Sequence, residues 1–151
     1  MFENLASLIL SFGSYSPKKL QKLAYYAYSW YLVISDDDLS DISFQAWVHG
    51  PVNPDIYQAY KHYGWNEIPI HVTSLSNNSL IYRVCKKVVK LYGPYSADEL
   101  EAMTHKETPW INARKGVGDY EPSNTELSVN DIKQYFSNHP FFHEFSSLRI
   151  M

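Results

Sequence analysis

The residues from Ser16 to Ile34 constrain this chain more than any other segment. Ser16 offers a side-chain oxygen as a helix N-cap, and Pro17 fits the first helical position, where its missing N–H is not needed. Leu20, Leu23, Ala24, Ala27, Trp30, Tyr31 and Ile34 then recur at spacings of three and four. That period marks one face of an α-helix. The spacing predicts a strong amphipathic helix that stops before the acidic stretch Asp36 to Asp41. Its apolar stripe must be covered by further helices.

Helix signals continue along the chain. Phe2 to Phe12 sets Leu5, Leu8, Ile9 and Phe12 on one face of a short first helix. Asn53 caps a helix with Pro54 at its first position; Ile56, Tyr57, Tyr60 and Tyr63 follow, and Gly64 ends it. A further helix runs from about Ser79 to Leu91 and ends at Gly93-Pro94, with Leu80, Val84, Val88 and Leu91 facing inward. Ser96-Ala97-Asp98-Glu99 is a capping box ahead of Leu100 and Met103. Thr108-Pro109 starts a helix carrying Trp110, Ala113 and Arg114 and closing at Gly116. Ser128 to Asp131 is a variant box before Ile132, Tyr135 and Phe136.

Phe44 to Val48 reads as an extended segment leading into a turn at Gly50-Pro51, and Ile68 to Leu75 as a second strand able to pair with it. The expected fold is mainly α, an irregular compact bundle of six or seven helices with a minor two-stranded β element. Neither an internal repeat nor a linker divides residues 1–151, so one domain is expected.

Thirteen basic against sixteen acidic residues give a net charge of -3, which argues against a dedicated nucleic-acid binder. No apolar run approaches the roughly 20 residues that span a bilayer. The start, Met-Phe-Glu-Asn, lacks the basic lead of a signal peptide, so a reducing cytoplasm is the expected compartment. The 13 Tyr, 7 Phe and 4 Trp suit either a protein interface or the filling of a small core.

The constellations that would carry chemistry do not assemble. His105-Lys106-Glu107 with Pro109 is like part of a zinc deaminase pattern, yet the chain has a single cysteine, Cys85, and no Cys-x-x-Cys. His139 and His143 are four apart with Pro140 between them. A calcium loop beginning at Asp36 would need Gly and Glu where Asp41 and Trp47 stand. No Gly-x-Ser-x-Gly elbow or phosphate-cradling loop occurs. No catalytic residue, metal or cofactor is expected. Lys18, Lys19 and Lys22 crowd a helix N-terminus, where the macrodipole favours negative charge. They read equally as a solvated accident or as a site for an acidic surface or phosphate.

Three blocks identify a family. Lys19-Leu20-Gln21-Lys22-Leu23-Ala24-Tyr25-Tyr26-Ala27 opens the long helix. Ala46-Trp47-Val48-His49-Gly50-Pro51-Val52-Asn53-Pro54 leads to Tyr57, and Thr104-His105-Lys106-Glu107-Thr108-Pro109-Trp110 leads to Ala113-Arg114. In this order and spacing the chain resembles the Panacea domain of SocA-like antitoxins and phage-associated GepA proteins. The resemblance covers nearly the whole chain.

It implies an antitoxin that neutralises a protein toxin, encoded by an adjacent gene, through direct binding. Family members pair with unrelated toxins, and at least one delivers its toxin to a protease. A protease or chaperone is therefore a further partner class that the resemblance allows; membrane and nucleic acid are not expected partners. The candidate residues are Lys19, Lys22, Trp47, Gly50, Pro51, Tyr57, Thr104, His105, Glu107, Trp110 and Arg114.

Each has a structural reading beside the functional one. Gly50-Pro51 is expected to aim the next helix and Trp47 to anchor it on Leu20 or Leu23. Thr104 and Glu107 are expected to bond backbone donors at a helix corner. Trp110 would bury its ring while its N–H finds an acceptor. The aromatic tail Pro140-Phe141-Phe142-His143-Glu144-Phe145 departs from the family blocks and is a candidate for partner specificity. Competing readings are a proteolytic adaptor, an enzyme with a phosphate site near Lys19, Lys22, His105 and Arg114, and, more weakly, a transcriptional autoregulator.

Overall fold

The fold was obtained as a computed structural model, which describes residues 2–35, 37, 39, 41–71 and 79–150. Among these residues eight α-helices surround one another and a two-stranded antiparallel ribbon. They are α1 (Phe2–Leu10), α2 (Pro17–Ile34), β1 (Gln45–Trp47), β2 (Gly50–Val52), α3 (Pro54–Tyr60), α4 (Leu80–Tyr92), α5 (Ala97–Thr104), α6 (Thr108–Ala113), α7 (Val129–Ser137) and α8 (Phe142–Ser146). Short 3₁₀ turns follow α3 and α8. The mainly α fold with a minor β element is as expected. The additional helix, α8, arises from the aromatic tail. No helix among the described residues is long and apolar enough to cross a membrane.

The predicted caps form. The Ser16 hydroxyl accepts from the Lys19 N–H, Asn53 from the Ile56 N–H and Ser79 from the Tyr82 N–H. Ser96 and Glu99 bond reciprocally. Ser128 accepts from the Asp131 N–H.

α2 departs from its expected single apolar face. It is buried on nearly every side, Gln21, Lys22, Tyr25, Tyr26, Tyr28 and Ser29 included. Helices α1, α3, α4, α5, α7 and α8 and strand β2 all pack against it. Tyrosine made the second face look polar in sequence, but its ring buries like phenylalanine, with the Tyr26 hydroxyl donating to Glu107 and the Tyr28 hydroxyl to the Ile42 carbonyl. Tyr26 stacks on Tyr92 at 4.0 Å, and Trp30 stacks on Phe145 at 4.2 Å while donating its indole N–H to the Tyr92 hydroxyl at 3.1 Å. Phe136 closes edge-on against Trp30 at 5.0 Å. Cys85 lies in the same core, where burial pushes its thiol pKa up.

The aromatic tail reaches the interior through Phe145. Phe145 is fully buried, and Phe141 and Phe142 are half-buried against the core. Phe145 serves the core by stacking on Trp30, while Pro140, His143 and Glu144 of the same tail are exposed.

The ribbon also differs from expectation. β1 pairs with β2 in the register Gln45↔Val52, Ala46↔Pro51 and Trp47↔Gly50, so the turn lies at Val48–His49 and Gly50-Pro51 is strand. The Ala46 N–H points away from β2, to the Thr125 carbonyl at 2.8 Å. Pro51 thus occupies a non-hydrogen-bonded position where a missing N–H costs nothing. Ile68 makes only an isolated bridge with Tyr15 and does not pair with β1. Residues 72–75 of the predicted strand, and Asp36 and Asp38 of the acidic stretch, lie outside the described residues.

Candidate partner-binding face

Two hydrogen bonds lock the ribbon onto α2. The Gln21 amide donates to the Asn53 carbonyl at 3.0 Å and accepts from the Asn53 N–H at 2.9 Å. Asn53 also donates its side-chain amide to the Ser43 carbonyl at 2.9 Å while capping α3. One buried residue therefore fixes the strand entry, the strand exit and the next helix together. Lys22, only 1% exposed, reaches the Pro51 carbonyl at 3.4 Å.

Gly50 is required at this junction for two reasons. Neither residue of the Val48–His49 turn has a positive φ, so Gly50 carries the reversal at φ 113°. A Cβ there would also stand 2.6 Å from Lys22 Cε and 3.0 Å from Thr104 Oγ1.

The other side of the ribbon is held by the helix corner between α5 and α6. Trp110 donates its indole N–H to the Trp47 carbonyl at 2.9 Å, as an indole needing an acceptor should. Arg114 donates to the carbonyls of Ala46 at 2.8 Å, Gly118 at 2.9 Å and Glu121 at 2.6 Å. The buried guanidinium is matched by carbonyl dipoles in place of a carboxylate, and it joins β1 to the loop after α6. His105 stacks on Trp110 at 3.9 Å, and burial pushes the pKa of its imidazole down.

The expected roles of Thr104 and Glu107 need correction. The Thr104 hydroxyl donates to the Glu101 carbonyl at 2.8 Å and caps no donor. Glu107 makes no side-chain capping bond; its Oε2 accepts from the Tyr26 hydroxyl at 2.8 Å. Its Oε1 is buried with no hydrogen-bond partner among the described residues. Burial raises the Glu107 pKa to about 8, against the opposing pull of the Tyr26 bond. Pro109 and the α6 start carry this carboxyl inward because the chain turns sharply between α5 and α6.

The basic cluster resolves into separate contacts. Lys18 pairs with Asp98 at 2.8 Å and with Glu101. Lys19 donates to the Gly93 carbonyl at 2.7 Å, at the C-terminal end of α4, where a cation is favoured. Lys22 is buried, and its desolvation lowers its pKa to about 7. Lys19, Lys22, His105 and Arg114 are not gathered into one cleft, since of these only Lys22 lines the groove described next.

The turn of the ribbon is a ridge between two depressions. One, of about 720 Å³, runs along Gln45, Val48 and residues 122–124. The other, of about 400 Å³, lies between the start of α2, the ribbon and α3. Trp47 stands between them, half-buried, with its ring edge on Tyr57 at 5.0 Å and its N–H on Gln45 Oε1 at 2.9 Å. It does not act as the expected buried anchor. Tyr57 is 39% exposed and Trp65, beyond Gly64, is 89% exposed.

Several of these residues were missed from sequence. Gln21 stood inside the first family block but looks like any polar residue on a helix. Tyr26 carried the spacing of a surface tyrosine. Trp65 had one signal, a lone large aromatic directly after a helix-ending glycine.

The three blocks thus form one connected junction: α2 with the ribbon through Gln21 and Lys22, the ribbon with α6 through Trp110 and Arg114, and α6 with α2 through Glu107 and Tyr26. The family described as antitoxin SocA-like, Panacea domain, matches residues 20–111, and the chain belongs to it. A curated relative, antitoxin SocA of Caulobacter vibrioides (strain NA1000 / CB15N), is 30% identical over 112 residues. The match covers 66% of this chain and 60% of that relative's length. No solved structure matches significantly.

Proposed function

We propose that this protein is the antitoxin of a toxin–antitoxin pair and neutralises a protein toxin by binding it directly. The observation that carries the reading is membership of the SocA-like family over residues 20–111. The binding is non-enzymatic: Gln21, Trp110 and Arg114 of the family blocks are engaged in holding the ribbon, and the exposed aromatics beside them offer contact area. The cytoplasm is where the pair would meet, and the adjacent gene is where the toxin would be encoded.

The test is co-expression. The neighbouring gene alone should arrest growth, and this chain should restore growth and co-purify with the product. A neighbour that is harmless alone and passes through a column carrying this chain would refute the reading.

A further inference from the structure

The groove beside the ribbon carries more than exposed aromatic area. Lys22 lines it, 1% exposed, and is the one buried charge among the described residues of α2, whose other buried side chains are apolar, tyrosine, Gln21 and Ser29. An ammonium has three donors. Among the described residues its one direct bond, to the Pro51 carbonyl at 3.4 Å, is longer than an ordinary hydrogen bond. Glu101, whose charge acts on Lys22, is engaged elsewhere, bonded to Lys18 and to His49 Nδ1 at 3.3 Å. A buried cation with so poor a partner weakens the free protein, and the sequence keeps a lysine where leucine or methionine would fill the space.

Two further lysines line the groove, Lys18, which is paired with Asp98 and Glu101, and Lys61. Lys61 stands at the rim, its ammonium 5.8 Å from the centre of the Tyr57 ring. No aspartate or glutamate is among the described residues that line the groove. That is unusual placement for a chain with net charge -3. Trp65 and Tyr57 supply the apolar part, at the rim where a partner's side chain could cover them.

We infer that this groove receives an acidic segment of the protein toxin, with a carboxylate meeting Lys22 and a neighbouring apolar side chain packing on Trp65 and Tyr57. The inference rests on the antitoxin reading and adds to it a site and a chemistry. It makes a prediction that a purely structural lysine would not. Replacing Lys22 by methionine removes an ill-paired buried charge, so the free protein keeps or gains stability while toxin binding falls.

The experiment uses the full chain and the purified product of the adjacent gene, with affinity read by titration calorimetry and stability by thermal melting. Lys22→Met should weaken binding on the order of tenfold or more without lowering Tm. Trp65→Ala should also weaken it on the order of tenfold or more. Tyr120→Ala, which removes an aromatic that is 90% exposed but outside the groove, should leave affinity unchanged.

Wild-type binding that survives both groove substitutions would overturn this inference and leave the antitoxin reading standing. Absence of any wild-type complex would overturn both. A single-stranded oligonucleotide is titrated in parallel, because cations beside aromatics also suit nucleic acid. Saturable oligonucleotide binding that is lost in Lys22→Met and Trp65→Ala would overturn the acidic-segment assignment; no saturable binding supports it.

Discussion

Two groups of three aromatic residues in this protein have opposite surroundings. Around α2, Trp30, Phe136 and Phe145 close into a stacked cluster with essentially no exposure. Beside the ribbon, Trp47, Tyr57 and Trp65 stand half-buried to open. In the first group rings meet rings from three helices, and nothing polar needs solvent. In the second the backbone beneath is fixed by hydrogen bonds from Gln21, Trp110 and Arg114, so the ribbon holds its shape without burying the rings above it. Aromatic content therefore serves both purposes that composition allowed, in different places. Polar bracing is what lets the second group remain uncovered.

The comparison breaks most readily in the core. Phe145→Ala should cost about 3–5 kcal/mol by leaving a cavity against Trp30. A urea melt that shows less than about 1 kcal/mol would mean that α8 is loosely attached. The next largest effect lies under the ribbon. Arg114→Met leaves three carbonyls without their donor and should cost about 3 kcal/mol. Chemical denaturation measures it, and near-neutrality would show that the loop and β1 hold without the clamp.

The third effect is read in pH. Glu107 has a pKa raised from 4.5 to about 8 in the folded protein, so the folded state holds a proton that the unfolded state releases. Its contribution is full below about pH 4.5 and is lost as pH rises to about 8. Lys22 has the opposite sign: its pKa, lowered from 10.5 to about 7, makes stability recover between about pH 7 and 10.5. Stability should therefore dip near neutral pH. Glu107→Gln, which keeps an acceptor for Tyr26, should remove the acid-side fall, worth up to about 1.4 kcal/mol per pH unit. Denaturation midpoints at pH 5, 6.5 and 8 check it; an unchanged slope would contradict the buried-acid account. The smallest expected effect is at the rim. Trp65→Ala should change stability by less than about 0.5 kcal/mol in the free protein, because the ring covers little of its own chain. A drop above about 1 kcal/mol in thermal or chemical melts would make Trp65 part of the fold and weaken its role as a contact.

Much of the fold was legible because local signals agreed with one another. Ser16-Pro17, Asn53-Pro54 and the Ser96–Glu99 box each state a helix start within four residues. The burial of α2 on both faces was not legible, since Tyr25, Tyr26 and Tyr28 look polar until partners such as Tyr92, Phe44 and Phe136 are assembled around them. The ribbon was misread for a similar reason. Val48–His49 lacks the Asn-Gly type of turn signal, and Pro51 argues against a strand until its pairing position is known. At the candidate site the structure brings Lys22, Trp47, Gly50, Trp110 and Arg114 of the three blocks together at the ribbon. Lys22, Trp110 and Arg114 reach main-chain carbonyls of Pro51, Trp47 and Ala46, distant in sequence, which no side-chain pattern records.

Hydrogen exchange on the complex with the adjacent gene's product tests the central claim most directly. Amides of Trp47–Val52 and Ile56–Trp65 should exchange more slowly on binding, while those of residues 141–147 stay unchanged. Protection at 141–147 with no change along the ribbon and α3 would contradict it.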